Sequence, residues 1–425
     1  MNRNRWLVSV ALAVALTLVG AAAWAGIDYG PWLTGVTANT ITVKWGSPES
    51  VGLVEYGTTT GLGQEADTVY ADGVHQADLA SLEAGTLYYY RVTSGGATSE
   101  IHSFLTAAEE NTPFHFAVIS DTQGNINNYR AIIEALLPTE PEFVLHNGDL
   151  VETPFLESQW PQFWSVTDLV AGDAPYFPVG GNHDSWIGGQ EHFDLYWSNP
   201  LNEDTVSRST YAFQYGNTYF ISLDVNQPYY ASSDQYLWLE EQLAYAKEQP
   251  SVRHCIVHAH YPPFSTSNHG NDADVLAFRE AVVPLFEEYD IDLYMSGHDH
   301  TYQRSVVNGL TYLVTGCSSS RLYNCGDPQD WTVMCEKTDN FSYIAIDGNE
   351  IYVEARRPDS SLIESFTIDH NFHGDVDDDT TDDDATDDDA TDDDATDDDA
   401  TDDDVDDDAT DDDSGDDDDD SGCEC

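Results

Sequence analysis

Ser296-Gly297-His298-Asp299-His300-Thr301-Tyr302-Gln303-Arg304 follows directly on the run Ile291-Asp292-Leu293-Tyr294-Met295. The run reads as a buried strand, and the glycine after it lets the backbone turn sharply. Two imidazoles separated by one residue, just past a strand end, can face one shared pocket. Neutral imidazole is a strong ligand for borderline divalent metals. Such a pair also occurs as hydrogen-bonded core histidines, so the reading depends on whether other strands end in the same way.

Four others do. A buried-type strand over 114–120 runs into Asp121-Thr122-Gln123-Gly124-Asn125, and one over 142–146 ends in Asn147-Gly148-Asp149. Residues 175–179 lead into Gly180-Gly181-Asn182-His183-Asp184, and 254–259 end in His260-Tyr261-Pro262-Pro263. A further strand is expected over 219–224, with helices over 129–137 and 234–247, where apolar residues recur at helical spacing. Strands alternating with helices imply an α/β core, whose ligands gather beyond the carboxyl ends of the strands. Carboxylate, carboxamide and imidazole donors together suit two divalent cations bridged by one aspartate. Such a pair clamps both oxygens of a phosphoryl transfer and supplies hydroxide at ordinary pH. Gly-Asp alone is a common turn and Asn-His can cap a helix; five such ends in order favour the metal site.

The flanks read differently. In residues 1–25, Arg3 and Arg5 precede an apolar run and an Ala23-Trp24-Ala25 cleavage pattern, so a signal peptide and a secreted or cell-surface location are expected. Export permits disulfides. Cys325 and Cys335 bracket a loop rich in Asp, Gly and Pro and are expected to pair locally, whereas Cys255 is either a small buried residue or half of a bridge to Cys317. Residues 26–108 carry short alternating segments, as in Thr40-Ile41-Thr42-Val43-Lys44-Trp45, and predict an all-β sandwich without a catalytic cluster. The α/β domain is expected over 109–372.

The chain has 14 Lys+Arg against 79 Asp+Glu, and its only lysines are Lys44, Lys247 and Lys337. This balance argues against a nucleic-acid-binding surface, which needs cationic side chains to displace counterions. Residues 373–425 form a tail dominated by an Ala-Thr-Asp-Asp-Asp repeat, read as disordered. Its dense carboxylates could take Ca²⁺ weakly, and Ser421-Gly422-Cys423-Glu424-Cys425 resembles an attachment signal for the cell envelope.

Asp121-x-Gln123, Gly148-Asp149, Gly181-Asn182-His183-Asp184, His260 and Gly297-His298-x-His300 together resemble the calcineurin-like metallophosphoesterase superfamily. The extended motif through Arg304 resembles its purple acid phosphatase branch, and residues 82–92 resemble the fibronectin type III-like domain that precedes that catalytic domain. The resemblance implies a four-layer α/β sandwich with two metal ions, Fe, Mn or Zn, between its sheets. It assigns Asp121 and His300 to one ion, Asp149 to both, and Asn182, His260 and His298 to the other. His183 would contact substrate phosphate and protonate the leaving group, Asp184 would orient His183, and His269 falls where an outer histidine is placed.

Two positions depart from the pattern. Gln123 stands where the wider superfamily has histidine and would be a weaker ligand. Glu152 stands where purple enzymes have the tyrosine whose phenolate colours them, so a colourless enzyme is expected. The implied activity is hydrolysis of small phosphate esters, monoesters first, by metal-bound hydroxide; phosphodiesterase or nucleotidase activity would use the same site. A non-catalytic surface binding protein would lack the ligands, and apart from the change at Gln123 the set is complete.

Overall fold

The computed structural model describes residues 26–185, 189–200, 207–318, 321–369 and 372. The expected signal peptide and acidic tail lie outside these residues, as do Cys423 and Cys425. Two sheets face each other. In the first, Leu362–Asp369, Glu350–Arg356, Phe341–Asp347, Phe114–Ile119, Val144–His146 and Tyr176–Pro178 lie side by side in that order. In the second, Tyr211–Tyr215, Thr218–Ser222, His254–His258, Leu293–Ser296, Leu310–Val314, Tyr302–Val307 and Thr332–Glu336 follow one another. The strands that precede the ligand loops are parallel neighbours within each sheet, so their carboxyl ends share one edge.

Alternation along single strands explains the layering. In Thr218–Ser222, Phe220 points between the sheets, where it meets Phe116 at 5.4 Å and Phe143 at 5.6 Å between ring centroids. Its neighbours Tyr219 and Ile221 share the outer cluster with Trp238, Leu239 and Leu243 of helix Asp234–Glu248. Tyr219 Oη also donates to Gln242 Oε1 at 2.7 Å. On the far side, helices Ile126–Leu136 and Trp160–Ala171 are joined by Tyr129 and Thr167, whose hydroxyls lie 2.9 Å apart. The result is the expected four-layer α/β sandwich of helices, sheet, sheet and helices. Helix Ala273–Tyr289 completes the outer layer over the second sheet.

The N-terminal all-β domain has its own sheet of Gln64–Ala66, Gly52–Gly57, Leu87–Ser94, Ala97–Thr98 and His102–Leu105. Its other sheet does not stop at the domain edge. Tyr29–Thr34 pairs in parallel with Tyr176–Pro178, through Thr34 and Tyr176, so the catalytic sheet continues into Thr40–Gly46, Val74–Ala80 and Val69–Ala71. An aromatic cluster seals this junction. Trp32 and Trp164 lie 4.2 Å apart, Tyr29 stacks on Trp164 at 5.6 Å, and Trp32 Nε1 donates to the Tyr196 carbonyl at 3.0 Å. The Cys325–Cys335 disulfide is present, and Cys255 is a buried free thiol without a bridge to Cys317.

Asp168 is a charged group inside the junction. It accepts the Gly30 N–H at 2.9 Å through Oδ2, while Oδ1 is buried without a partner. Burial pushes its pKa up to about 7. A carboxyl raised in the folded state favours the protonated form, so its destabilising effect is absent below its unfolded pKa and complete above about pH 7. Asp168→Asn should therefore raise the melting temperature by about 4 °C at pH 8.5 and by less than about 1 °C at pH 4. Calorimetry at the two pH values checks this, and an equal shift at both would contradict it.

Candidate metal centre

The ligand loops are built by forcing side chains inward at the strand ends. Asp121 (φ 54°), Asp149 (φ 58°) and His298 (φ 68°) all adopt the left-handed region, which costs a non-glycine residue about 1–2 kcal/mol. Three such residues in one place mark a functional constraint more than a turn preference. The strain is held by bonds between loops. Asp121 N–H donates to the Gly148 carbonyl at 3.0 Å and Thr122 N–H to the Asp149 carbonyl at 3.0 Å, while His298 N–H reaches both oxygens of Asp121 at 3.2 and 3.1 Å. The close approach also needs glycine at 297, since a Cβ there would run into Ser120 Oγ and the Asp121 carboxylate.

The donors sort into two groups. His260 Nε2 lies 3.2 Å from Asp149 Oδ2, 3.1 Å from Asn182 Oδ1 and 3.2 Å from His298 Nδ1. On the other side, His300 Nε2 lies 3.4 Å from Asp121 Oδ1. Asp121, Asp149 and His260 each offer a ligand atom within 4.8 Å of the other two, and all three are buried. His260 Nδ1 is held at 2.7 Å by the Asn147 carbonyl and His300 Nδ1 at 2.5 Å by the Arg321 carbonyl. Those carbonyls claim the Nδ1 protons and leave each Nε2 with a lone pair facing the centre.

This arrangement fits cations. One His260 nitrogen, carrying at most one proton, cannot satisfy a carboxylate, a carboxamide oxygen and a second imidazole at once. A metal ion among them would take all four lone pairs. Electrostatics point the same way. Burial would lower the pKa of His260, yet Asp149 and Asp121 push it up to about 9, so the pocket draws positive charge to Nε2, a proton where no cation takes its place. Burial likewise opposes ionisation of Asp121 and Asp149, but His300 beside the first and His260 beside the second hold both below the usual carboxylate range. His298 is driven well below its ordinary value by burial, with His260 and His269 adding to the effect, and stays neutral as a ligand must.

Other expected residues take altered roles. Asp184 does not orient His183: its oxygens accept the backbone N–H groups of Asp149 at 2.8 Å, Gly181 at 2.9 Å and Leu150 at 3.1 Å, so it shapes two ligand loops. The Nδ1 of His183 lies 2.9 Å from the Glu152 carbonyl, and its Nε2 4.0 Å from Asp149 Oδ2. Gln123 Nε2 donates to Asp149 Oδ2 at 3.1 Å, and its Oε1 is buried without a hydrogen-bond partner. As placed, the side chain supports the central carboxylate with a donor. His269 lies against the site, its ring 4.6 Å from that of His298 and its Nδ1 2.7 Å from Asp272 Oδ2. Tyr302, two residues past His300, is buried and its hydroxyl bonds Glu364 at 2.8 Å.

Several residues at the centre carried no sequence signal. Asp299, between the two histidines, turns away to accept His269 N–H at 2.9 Å and Ser265 Oγ at 2.5 Å, fixing the loop that bears His269. Tyr323 stacks flat on His300, with centroids 4.6 Å and planes 5° apart. Asn147 and Arg321 act through backbone carbonyls, which leave no trace in residue type. Behind the site, His258 bridges Ser222 Oγ at 2.6 Å and Asn147 Oδ1 at 3.0 Å, and burial holds its pKa down to about 3.

Comparison with known proteins agrees with this geometry. Residues 114–302 match the calcineurin-like phosphoesterase family, and residues 31–106 match the purple acid phosphatase N-terminal domain. An uncharacterized protein of Mycobacterium tuberculosis is 27% identical over 376 residues, covering 72% of this chain and 71% of its own. Purple acid phosphatase 15 of Arabidopsis thaliana is 28% identical over 294 residues, covering 59% of this chain and 55% of its own, so the chain spans about half its length. A purple acid phosphatase from yellow lupin (Lupinus luteus) seeds has the same fold, with a TM-score of 0.69 at 21% identity over 81% of this chain and 75% of its own. PhoD shares the fold at a TM-score of 0.64 and 13% identity, over 84% and 92% of the two chains. With the loops, the sandwich and both domain matches in agreement, residues 114–302 form a calcineurin-like phosphoesterase domain behind a purple acid phosphatase N-terminal domain at 31–106, and the chain is a metal-dependent phosphoesterase.

Proposed function

We propose that this phosphoesterase is exported and hydrolyses phosphate monoesters in the manner of an acid phosphatase. The observation that carries the reading is the convergence of Asp149, Asn182 and His298 on His260 Nε2, with Asp121 and His300 alongside. Asn182, His260 and His298 would hold one cation, Asp121 and His300 the other, and Asp149 would bridge. When bound, such a pair polarises phosphoryl oxygens and makes water a better nucleophile at ordinary pH.

The remaining chemistry belongs to His183. Its Nδ1–H is directed to the Glu152 carbonyl, so the neutral ring carries its lone pair on Nε2. Only the doubly protonated ring can hand a proton from Nε2 to a departing alkoxide. That nitrogen lies 4.0 Å from Asp149 Oδ2 and the side chain remains about one-fifth exposed, so it can meet a substrate at the mouth of the centre. Export is supported by the Cys325–Cys335 disulfide, which persists in oxidising compartments. Attachment through the tail and Ca²⁺ binding by it remain proposals of the sequence alone.

His183→Ala should lower turnover by about 10²–10⁴-fold while metal content is kept, whereas Asp149→Asn should lose metal. Kinetics paired with elemental analysis checks both, and full activity of the His183 variant would refute the assignment. Iron-loaded protein should lack a tyrosinate-to-iron absorption band, because Glu152 stands at that position; a visible band of that type would contradict this.

A further inference from the structure

A cavity of 360 Å³ opens beside the metal centre, lined among others by Gln123, Asn125, Glu152, Ser158, Gln159 and Gln162. It shares two walls with the reacting groups. Gln123 is the residue bonded to Asp149 at 3.1 Å, and Glu152 is the residue whose carbonyl holds His183 at 2.9 Å. Resting on the monoesterase reading, we infer that this cavity receives the leaving group, and that it is shaped for a neutral, hydroxyl-rich alcohol such as a sugar or polyol.

Three features argue for that chemical class. First, among the described residues lining the cavity there is no Lys or Arg, and the one ionisable side chain is that of Glu152. A second phosphate group, as in a nucleoside polyphosphate, would enter uncompensated and against like charge. Second, the wall is rich in carboxamides whose bonding is only half used. Gln159 spends Oε1 on the Thr153 N–H at 2.8 Å and keeps its Nε2 donors; Gln162 spends Nε2 on the Ser158 carbonyl at 3.2 Å and keeps its Oε1. A surface offering both donors and acceptors matches hydroxyl groups, each of which does both. Third, His183 is anchored on the same wall, so a leaving oxygen attached to an alcohol in the cavity is at the place where its proton is supplied.

The test compares kcat/KM for glucose 6-phosphate, glycerol 3-phosphate, p-nitrophenyl phosphate and ATP in the metal-loaded full chain and in Gln162→Leu and Gln159→Leu. Two variants are used because Gln159 also braces the Thr153 backbone, whereas Gln162 bonds one carbonyl of its own helix start. The polyol esters should exceed ATP in the parent protein. Gln162→Leu should lower the ratio of polyol to aryl ester by about tenfold, with the aryl ester serving as the internal control for folding and metal loading. An unchanged ratio in both variants, or ATP as the best substrate, overturns the leaving-group assignment while leaving the phosphatase reading in place. Inertness toward every ester overturns both.

Discussion

Everything at the catalytic edge depends on too many lone pairs meeting at one buried nitrogen. A carboxylate, a carboxamide oxygen and a second imidazole lie within 3.2 Å of His260 Nε2, and protons cannot reconcile them. The chain accepts left-handed backbone at Asp121, Asp149 and His298 to achieve this crowding. It restrains the result with the loop-to-loop bonds of Asp121 and with the Asp184 carboxylate, which holds three backbone N–H groups. Cations are what make such an arrangement favourable. The fold can then be understood as a frame that presents strand ends from two sheets to one point.

That frame is stiffer than a two-domain description implies. The N-terminal strand Tyr29–Thr34 extends the catalytic sheet, and the indoles of Trp32 and Trp164 fill the corner between the two parts. The sandwich contributes no residue to the metal centre. It supports the outer edge of the sheet that carries Asp121, Asp149 and Asn182, so its effect on the site runs through backbone positions. The segment just before the disulfide acts in a comparable way from the other side: Tyr323 N–H donates to the His300 carbonyl at 3.0 Å while its ring covers the His300 imidazole.

Much of this was legible in the sequence, for a physical reason. A fully buried strand is a short apolar run, and a glycine or aspartate straight after it is a visible mark of a sharp inward turn. Asp121, Asp149, Asn182, His298 and His300 carry that mark, His260 is marked only by its place at a strand end before Pro262-Pro263, and the structure brings all six together. What escaped has no such mark. The Thr34–Tyr176 pairing that fuses the sheets is a single register contact. Helix Ala273–Tyr289 contains Pro284, which reads as a breaker. Asp184 sits beside His183 in sequence, and adjacency suggested a partnership, but its carboxylate turns to the backbone of the neighbouring loops. The holders of His260 and His300 are main-chain carbonyls, for which any residue type would serve.

The central claim is that these five loops exist to hold two cations, and anomalous diffraction from metal-loaded crystals addresses it directly. The account predicts two peaks about 3.5–4 Å apart, one enclosed by Asn182, His260 and His298 and the other by Asp121 and His300, with Asp149 between them. A crystal grown with excess metal that shows no peak within bonding distance of His260 Nε2 would contradict it.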